Sequence, residues 1–104
     1  MRLLCLIAVL PSVAAAQEFS TRTYGCDRGV QVPATYVNGP DQNLAVIHVD
    51  GRQITLVGEP AASGARYGWP SDGSGYVWWT KGDEATLSWK TAEGETPLLT
   101  CTAG

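Results

Sequence analysis

Two short segments of the chain carry a hydroxyl and an ammonium group in a setting that could do chemistry. Residues 63–67 read Ser-Gly-Ala-Arg-Tyr, and residues 79–87 read Trp-Thr-Lys-Gly-Asp-Glu-Ala-Thr-Leu. The Ser63 hydroxyl both donates and accepts hydrogen bonds, and the Lys81 ammonium is a compact cation with three donors. The pair could complement carboxyl groups of another molecule, or the lysine could activate the serine as a nucleophile.

The nucleophile interpretation has little support elsewhere in the sequence. The chain has no Gly-x-Ser-x-Gly elbow and no Ser-x-x-Lys motif, and its one histidine, His48, falls on a predicted strand. A single histidine and widely separated cysteines also predict no metal site, and we expect no cofactor. Considered alone, Ser63 and Lys81 are each more typical of an ordinary loop or turn than of a site.

The first 16 residues are typical of a secretory signal peptide. Arg2 precedes the apolar run from Leu3 to Leu10, and three alanines end at Ala16. The run is too short to cross a bilayer as a helix, and Pro11 interrupts the apolar stretch. We therefore predict a signal peptide over residues 1–16, and one exported domain over residues 17–104 without a membrane anchor.

Two cysteines, Cys26 and Cys101, remain after the predicted cleavage. An even cysteine count in an exported domain predicts a disulfide, here between the first and last strands. Loss of Arg2 changes the formal charge from −3 to −4, from six Lys and Arg against ten Asp and Glu. Because no basic stripe is present, nucleic acid is not an expected partner, whereas a basic protein would be attracted.

Apolar and polar residues alternate through most of the predicted domain, which favours an all-β fold. Asp50-Gly51 predicts a tight turn between one strand over Ala45 to Val49 and its partner. A second hairpin is predicted from Tyr76 to Trp89, with its turn near Gly82-Asp83 and Lys81 at its tip. Pro33, within an otherwise alternating segment, suggests the edge of a sheet or a bulge.

About eight short strands can be counted, a number that suits a small barrel or a sandwich, and periodicity alone does not choose between them. Residues 58–75 are rich in Gly, Ala, Ser and Pro, and we predict an extended loop region there with a short strand near residues 66–69. The eight predicted strands are centred near Thr23, Val32, Ile47, Leu56, Tyr67, Trp78, Leu87 and Leu99.

The two segments that carry Ser63 and Lys81 resemble the paired motifs of the MliC/PliC family, bacterial inhibitors of C-type lysozyme in membrane-bound and periplasmic forms. The resemblance extends loosely from Tyr24 to Cys101, and it depends on the joint order of the motif residues. It implies an eight-stranded antiparallel β-barrel closed by the disulfide. It also implies a periplasmic inhibitor that is not an enzyme, has C-type lysozyme as its partner and confers lysozyme resistance.

The resemblance also implies which residues contact lysozyme. In the family, one loop with a serine and one with a lysine enter the lysozyme cleft, and the matching positions here are Ser63 and Lys81. A lysozyme cleft presents two carboxyl groups, which a hydroxyl and an ammonium would complement. The other implied contact residues are Gly64, Tyr67, Thr80 and Gly82, of which Tyr67 and Gly82 are expected mainly to shape the loops.

The segment between the motifs, Gly68 to Gly75, is longer than is usual in the family. Trp69 within it is either a rim contact for lysozyme or an aromatic packed on its own loop. The alternative function is a carbohydrate-binding module that stacks glycan on Trp69, Trp78, Trp79 or Trp89. Because neighbouring residues of a strand point to opposite faces, at least one of Trp78 and Trp79 is expected to fill the core. The sequence leaves open a monomer or a homodimer.

Overall fold

The computed structural model of the protein describes residues 18–104, so the predicted signal peptide lies outside the described residues. They form a closed barrel of eight antiparallel strands, each paired with its neighbours in chain order. This confirms the predicted all-β barrel, and each of the eight predicted strand centres lies in a different strand. The strands are β1 (Glu18–Cys26), β2 (Gln31–Asn38), β3 (Asn43–Val49), β4 (Arg52–Glu59), β5 (Ala65–Gly68), β6 (Gly75–Lys81), β7 (Glu84–Thr91) and β8 (Gly94–Ala103).

The period-two alternation of the sequence builds the core, because every second residue of each strand points into the barrel. Both predicted hairpins are confirmed by the strand pairing. Asp50 and Gly51 have φ angles of 55° and 75°, as a two-residue turn of the primed type requires. Gly82 opens the second turn with a φ of 61°. The buried apolar residues in contact include Tyr24, Val32, Ala34, Ala45, Ile47, Leu56, Trp78, Ala85, Leu87 and Leu99.

A disulfide closes the barrel between its first and last strands. Cys26 of β1 faces Cys101 of β8, and the two are bonded across 75 positions of sequence. Only three residue pairs join β1 to β8, so the covalent link lies at a short seam. The predicted pairing of the two cysteines is therefore confirmed.

The predicted loop region over residues 58–75 is shorter than expected. Gly58 belongs to β4, which continues to Glu59, and the loops cover residues 60–64 and 69–74 around the predicted short strand. Glycine suits position 58 of the strand because a Cβ atom there would lie only 3.2 Å from the Asn43 carbonyl oxygen of the neighbouring strand. Pro33 pairs with Thr23 of β1 and lies one residue outside the β2 to β3 ladder, so it is at the end of a ladder in a strand paired on both sides and not at the edge of a sheet.

The shortness of β5 leaves part of the barrel wall without a paired strand. β4 begins at Arg52, yet its pairing with β5 begins only at Val57. The loop of residues 69–74 connects β5 to β6 beside this unpaired stretch of β4. Trp69 packs so closely over Gly75 that any side chain at that position would overlap its ring. An opening in the wall thus forms beside an aromatic side chain.

Candidate functional site

The loop that carries Ser63 and the hairpin that carries Lys81 pack against each other at one end of the barrel. Gly64, which follows Ser63, has a φ of 67°. A Cβ atom there would overlap the carbonyl oxygen of Thr80 and lie 2.8 Å from Cγ of Lys81. Glycine is needed at this position both for its backbone angle and for the close approach. The structure therefore brings the two motif segments together.

Trp79 connects the two segments directly. Its indole N–H donates a hydrogen bond of 2.9 Å to the carbonyl oxygen of Ser63. The Lys81 ammonium lies 4.5 Å from the centre of the same ring, within the range of a cation–π contact. We did not predict this role of Trp79 from the sequence. Its position two residues before Lys81, on the same face of the strand, could have suggested it.

Arg66 supports the Trp79 ring from the outer surface of the barrel. Its guanidinium lies 5.0 Å from the ring centre. It also pairs with two carboxylates, that of Glu59 on β4 and that of Glu95 on β8. Because Arg66 is on β5, its side chain links strands on both sides of Trp79. Only 14% of this side chain is exposed, so the cluster is a packed base beneath the two loops.

This cluster predicts a dependence of stability on pH. The hydrogen bond from Arg66 lowers the pKa of Glu95 below its ordinary value. Since the folded-state pKa is the lower one, the stabilisation is complete above the ordinary glutamate pKa of about 4.3 and is lost as pH falls through the folded value. We expect Glu95→Gln to lower the free energy of unfolding at pH 6 and to lower it by less at pH 3. Urea midpoints of both proteins at the two pH values measure this, and an equal loss at both would contradict it.

The Lys81 ammonium is available to another molecule. Lys81 is exposed, and no carboxylate of residues 18–104 lies within 4.0 Å of its ammonium. The neighbouring Asp83 carboxylate is bonded instead to Arg22 of β1 at 2.6 Å. The Asp83 carbonyl oxygen accepts a hydrogen bond of 2.8 Å from the Ala103 amide. The turn is thereby held to both β1 and β8, which fixes the place of the lysine.

The other predicted contact residues lie around Ser63 and Lys81, where they pack and form hydrogen bonds within the barrel. Tyr67 is buried against Tyr36, with ring centres 5.7 Å apart, and burial raises the pKa of Tyr67. The Thr80 hydroxyl donates to the Ala65 carbonyl at 3.3 Å, and Gly82 supplies the turn. The loop-shaping roles expected of Tyr67 and Gly82 stay a prediction. Direct contact of any of these residues with a partner stays a prediction.

Trp69 lies away from the loop of Ser63 and the hairpin of Lys81. Gly64 precedes β5 and Trp69 follows it, which places them about 16 Å apart along the strand. The ring packs on Gly75, as the interpretation of an aromatic on its own loop expects, yet 46% of the residue is exposed. Its role as a rim contact for a partner stays a prediction.

A hydrogen-bonded aromatic group, not foreseen from the sequence, lies under the site in the barrel interior. Trp78 is fully buried, which confirms that one of the adjacent tryptophans fills the core. Its indole N–H donates to the Tyr36 hydroxyl at 2.8 Å, and the hydroxyls of Tyr36 and Tyr24 share a bond of 2.7 Å. Burial raises the pKa of Tyr36. These polar atoms all have hydrogen-bond partners, which stabilises the core beneath the site.

Neither a membrane-spanning helix nor a metal-binding cluster is found in the described part of the chain. Residues 18–104 contain no helix long and apolar enough to cross a membrane. They also contain no cluster of three or more His, Cys, Asp or Glu side chains that could hold a metal ion.

Comparison with known proteins shows the family to which the chain belongs. The model of the family described as membrane-bound lysozyme inhibitor of C-type lysozyme matches residues 24–96. The chain belongs to this family. A protein of that name from Cupriavidus necator is 43% identical over 77 residues, which cover 73% of this chain and 58% of the relative. A protein of the same name from Pseudomonas aeruginosa is 40% identical over 73 residues, which cover 67% of this chain and 54% of that relative.

A solved structure matches over the full length of both chains. It is the crystal structure of Pseudomonas aeruginosa MliC in complex with hen egg white lysozyme, with a TM-score of 0.66 and 30% sequence identity. The match covers 100% of this chain and 100% of that one. Against the relatives compared by sequence, the chain spans only a little more than half of their length.

Proposed function

We propose that this protein inhibits C-type lysozyme by inserting the Ser63 loop and the Lys81 hairpin into the active-site cleft. The observation that carries the proposal is the joint fixation of the two segments by Trp79, which bonds to one and stacks beneath the other. Two short loops held side by side on a rigid barrel end form a wedge that a cleft can accept. Because its shape is set before binding, little ordering entropy would be lost.

The chemistry of the wedge complements that of the cleft. A lysozyme cleft holds a general acid and a second carboxylate. The Lys81 ammonium would lie against an ionised carboxylate, while the Ser63 hydroxyl can donate to one carboxyl group or accept from a protonated one. Substrate and water would be excluded together, so inhibition needs no chemical step and no cofactor.

The positions of Ser63 and Lys81 do not support the interpretation of the protein as an enzyme. Lys81 stacks on Trp79, and among residues 18–104 no hydrogen bond joins its ammonium to the Ser63 hydroxyl. A serine nucleophile needs a base within hydrogen-bond reach. We therefore propose a binding protein that is not an enzyme.

Family membership supports the same partner and a place in the bacterial envelope. The relatives are named membrane-bound inhibitors, and the matched structure is a complex with a C-type lysozyme. Together with the predicted signal peptide, this supports a periplasmic location, where the protein would protect the wall from lysozyme. An oxidising compartment also suits the Cys26 to Cys101 disulfide.

A lysis assay tests the proposal. Oxidised protein of residues 17–104 is added to bacterial cell walls with hen egg white lysozyme, and turbidity is followed against the molar ratio. We expect lysis to stop near equimolar protein, with no loss of inhibitor on prolonged incubation. Unchanged lysis at a large molar excess would overturn the proposal for this lysozyme.

Substitution of Trp79 tests its part as a positioning residue. Trp79→Phe removes the donor to Ser63 but keeps an aromatic ring beneath Lys81. The loss of one hydrogen bond of about 0.5–1.5 kcal/mol predicts an inhibition constant roughly two- to twelvefold weaker. An NMR spectrum should show shifts confined to the Ser63 loop. Full inhibition by the variant, with that loop unmoved, would show that the hydrogen bond does not position it.

A further inference from the structure

The two most exposed tryptophans of the described chain line a single cavity. Trp78 is in the core and Trp79 is in the inhibitory site, whereas Trp69 and Trp89 are 46% and 38% exposed. Both line an open cavity of about 670 Å³ together with Tyr76, whose ring meets that of Trp89 edge-on at 4.9 Å. Three aromatic side chains therefore form the wall of one concave site.

The cavity is built into the fold by the shortness of β5. It lies between the start of β4, which has no β5 partner there, and the loop of residues 69–74. Trp69 is seated on Gly75, so its ring is held in place at the edge of the opening. The volume is within the range of about 300–1,000 Å³ that small-molecule sites occupy.

This cavity is separate from the proposed lysozyme site. Tyr76 lies near the start of β6 and Lys81 at its end, five residues and about 16 Å apart along the strand. None of the three charged residues of the Arg66 cluster, Arg66, Glu59 and Glu95, lines the cavity. A ligand in the cavity would therefore not need the inhibitory loops.

Polar side chains border the aromatic wall and indicate what the cavity could hold. Gln53, Thr55 and Ser74 supply hydrogen-bond donors and acceptors, and Arg52 is the one charged residue of the lining. In the described chain, no carboxylate lies within 4.0 Å of the Arg52 guanidinium. A guanidinium without a carboxylate partner, beside aromatic rings, suits a ligand that joins a flat apolar face to an acid group.

We propose that this cavity binds a saccharide that carries a carboxylate. A pyranose ring has one face of C–H groups, which can stack on Trp69 or Trp89, and a rim of hydroxyls that the polar lining can bond. Its carboxylate would pair with Arg52. A lipid or aliphatic chain would cover the aromatic rings but would leave the guanidinium and the amide of Gln53 without partners, at a cost in desolvation.

The test is a titration followed by NMR and tryptophan fluorescence with two disaccharides. N-acetylglucosaminyl-N-acetylmuramic acid carries the carboxylate, and N,N′-diacetylchitobiose, called chitobiose below, is its neutral match. We expect the indole signals of Trp69 and Trp89 to shift while that of the buried Trp78 does not. The acidic disaccharide should bind about three- to fivefold more tightly, because an exposed ion pair contributes up to about 1 kcal/mol.

Variants separate this cavity from any other binding surface. We expect Trp69→Ala to weaken binding of the acidic disaccharide about tenfold, through the aromatic area lost. Arg52→Gln should remove the preference for the acidic disaccharide while binding of chitobiose is retained. Lys81→Ala serves as the control and should bind both disaccharides with the same affinity as the unmodified protein. Absence of binding at millimolar concentrations, shifts confined to other tryptophans, or tighter binding of chitobiose would each overturn the proposal.

Discussion

Replacement of Lys81 by alanine is expected to remove nearly all inhibition of lysozyme. The ammonium is the one group of the wedge with a full positive charge that no carboxylate of residues 18–104 neutralises. Truncating one partner of a buried charged contact costs about 2–5 kcal/mol, much of it from the carboxylate left desolvated. The inhibition constant should therefore increase by a factor between roughly 30 and several thousand. Lysis assays over a range of inhibitor concentrations measure it.

The second lysine provides a matched control. Lys90 is also exposed on a barrel strand, but it pairs with Gly75 at the far end of β6, whereas Lys81 pairs with Glu84 at the near end. Lys90→Ala changes the net charge by the same amount and should leave the inhibition constant within about twofold, as surface substitutions usually do. Equal losses in the two variants would mean that overall charge, not the wedge, controls binding.

Removal of the disulfide is expected to have the largest effect on stability. Bonding two cysteines 75 residues apart restricts the unfolded chain, which corresponds to about 4.5 kcal/mol on the chain-entropy model. Small domains have only about 5–15 kcal/mol of net stability, and apart from the two cysteines just two residue pairs join β1 to β8. The variant Cys26→Ala with Cys101→Ala should therefore be largely unfolded near physiological temperature.

Urea denaturation of the oxidised protein, the reduced protein and the double variant measures this effect. The reduced protein keeps both side chains, so it separates the covalent link from the small cavity that alanine would leave at the buried Cys101. Both the reduced and the substituted protein should show a much lower midpoint. Midpoints equal to that of the oxidised protein would contradict the stabilising role of the bond.

The parts of the fold that could be predicted from the sequence are local or covalent. Asp50-Gly51 specifies a turn through backbone angles that few other residues adopt, and alternation over Ala45 to Val49 sets the buried face. An even cysteine count in an exported chain gives the disulfide. The prediction that the loop starts at residue 58 is wrong, because a glycine can lie within a strand as well as end one.

The parts that could not be predicted depend on side chains that meet across several strands. Arg66 pairs with Glu95, 29 residues away, and neither has a local pattern that signals the other. The sequence offers Trp79 as one of four tryptophans for a possible glycan surface, whereas its indole N–H donates to the backbone carbonyl of Ser63. The aromatic cavity needs the missing length of β5, which becomes visible only when the register of β4 is known.

The most direct test of the central claim is a double-mutant cycle between Lys81 and the two cleft carboxyl groups of lysozyme. Dissociation constants are measured for unmodified protein and Lys81→Ala against unmodified lysozyme and against variants with each carboxylate changed to its amide. If the ammonium lies against a carboxylate, at least one pair should couple by about 1.5 kcal/mol or more. Additivity within about 0.5 kcal/mol for both carboxylates would contradict insertion of Lys81 into the cleft.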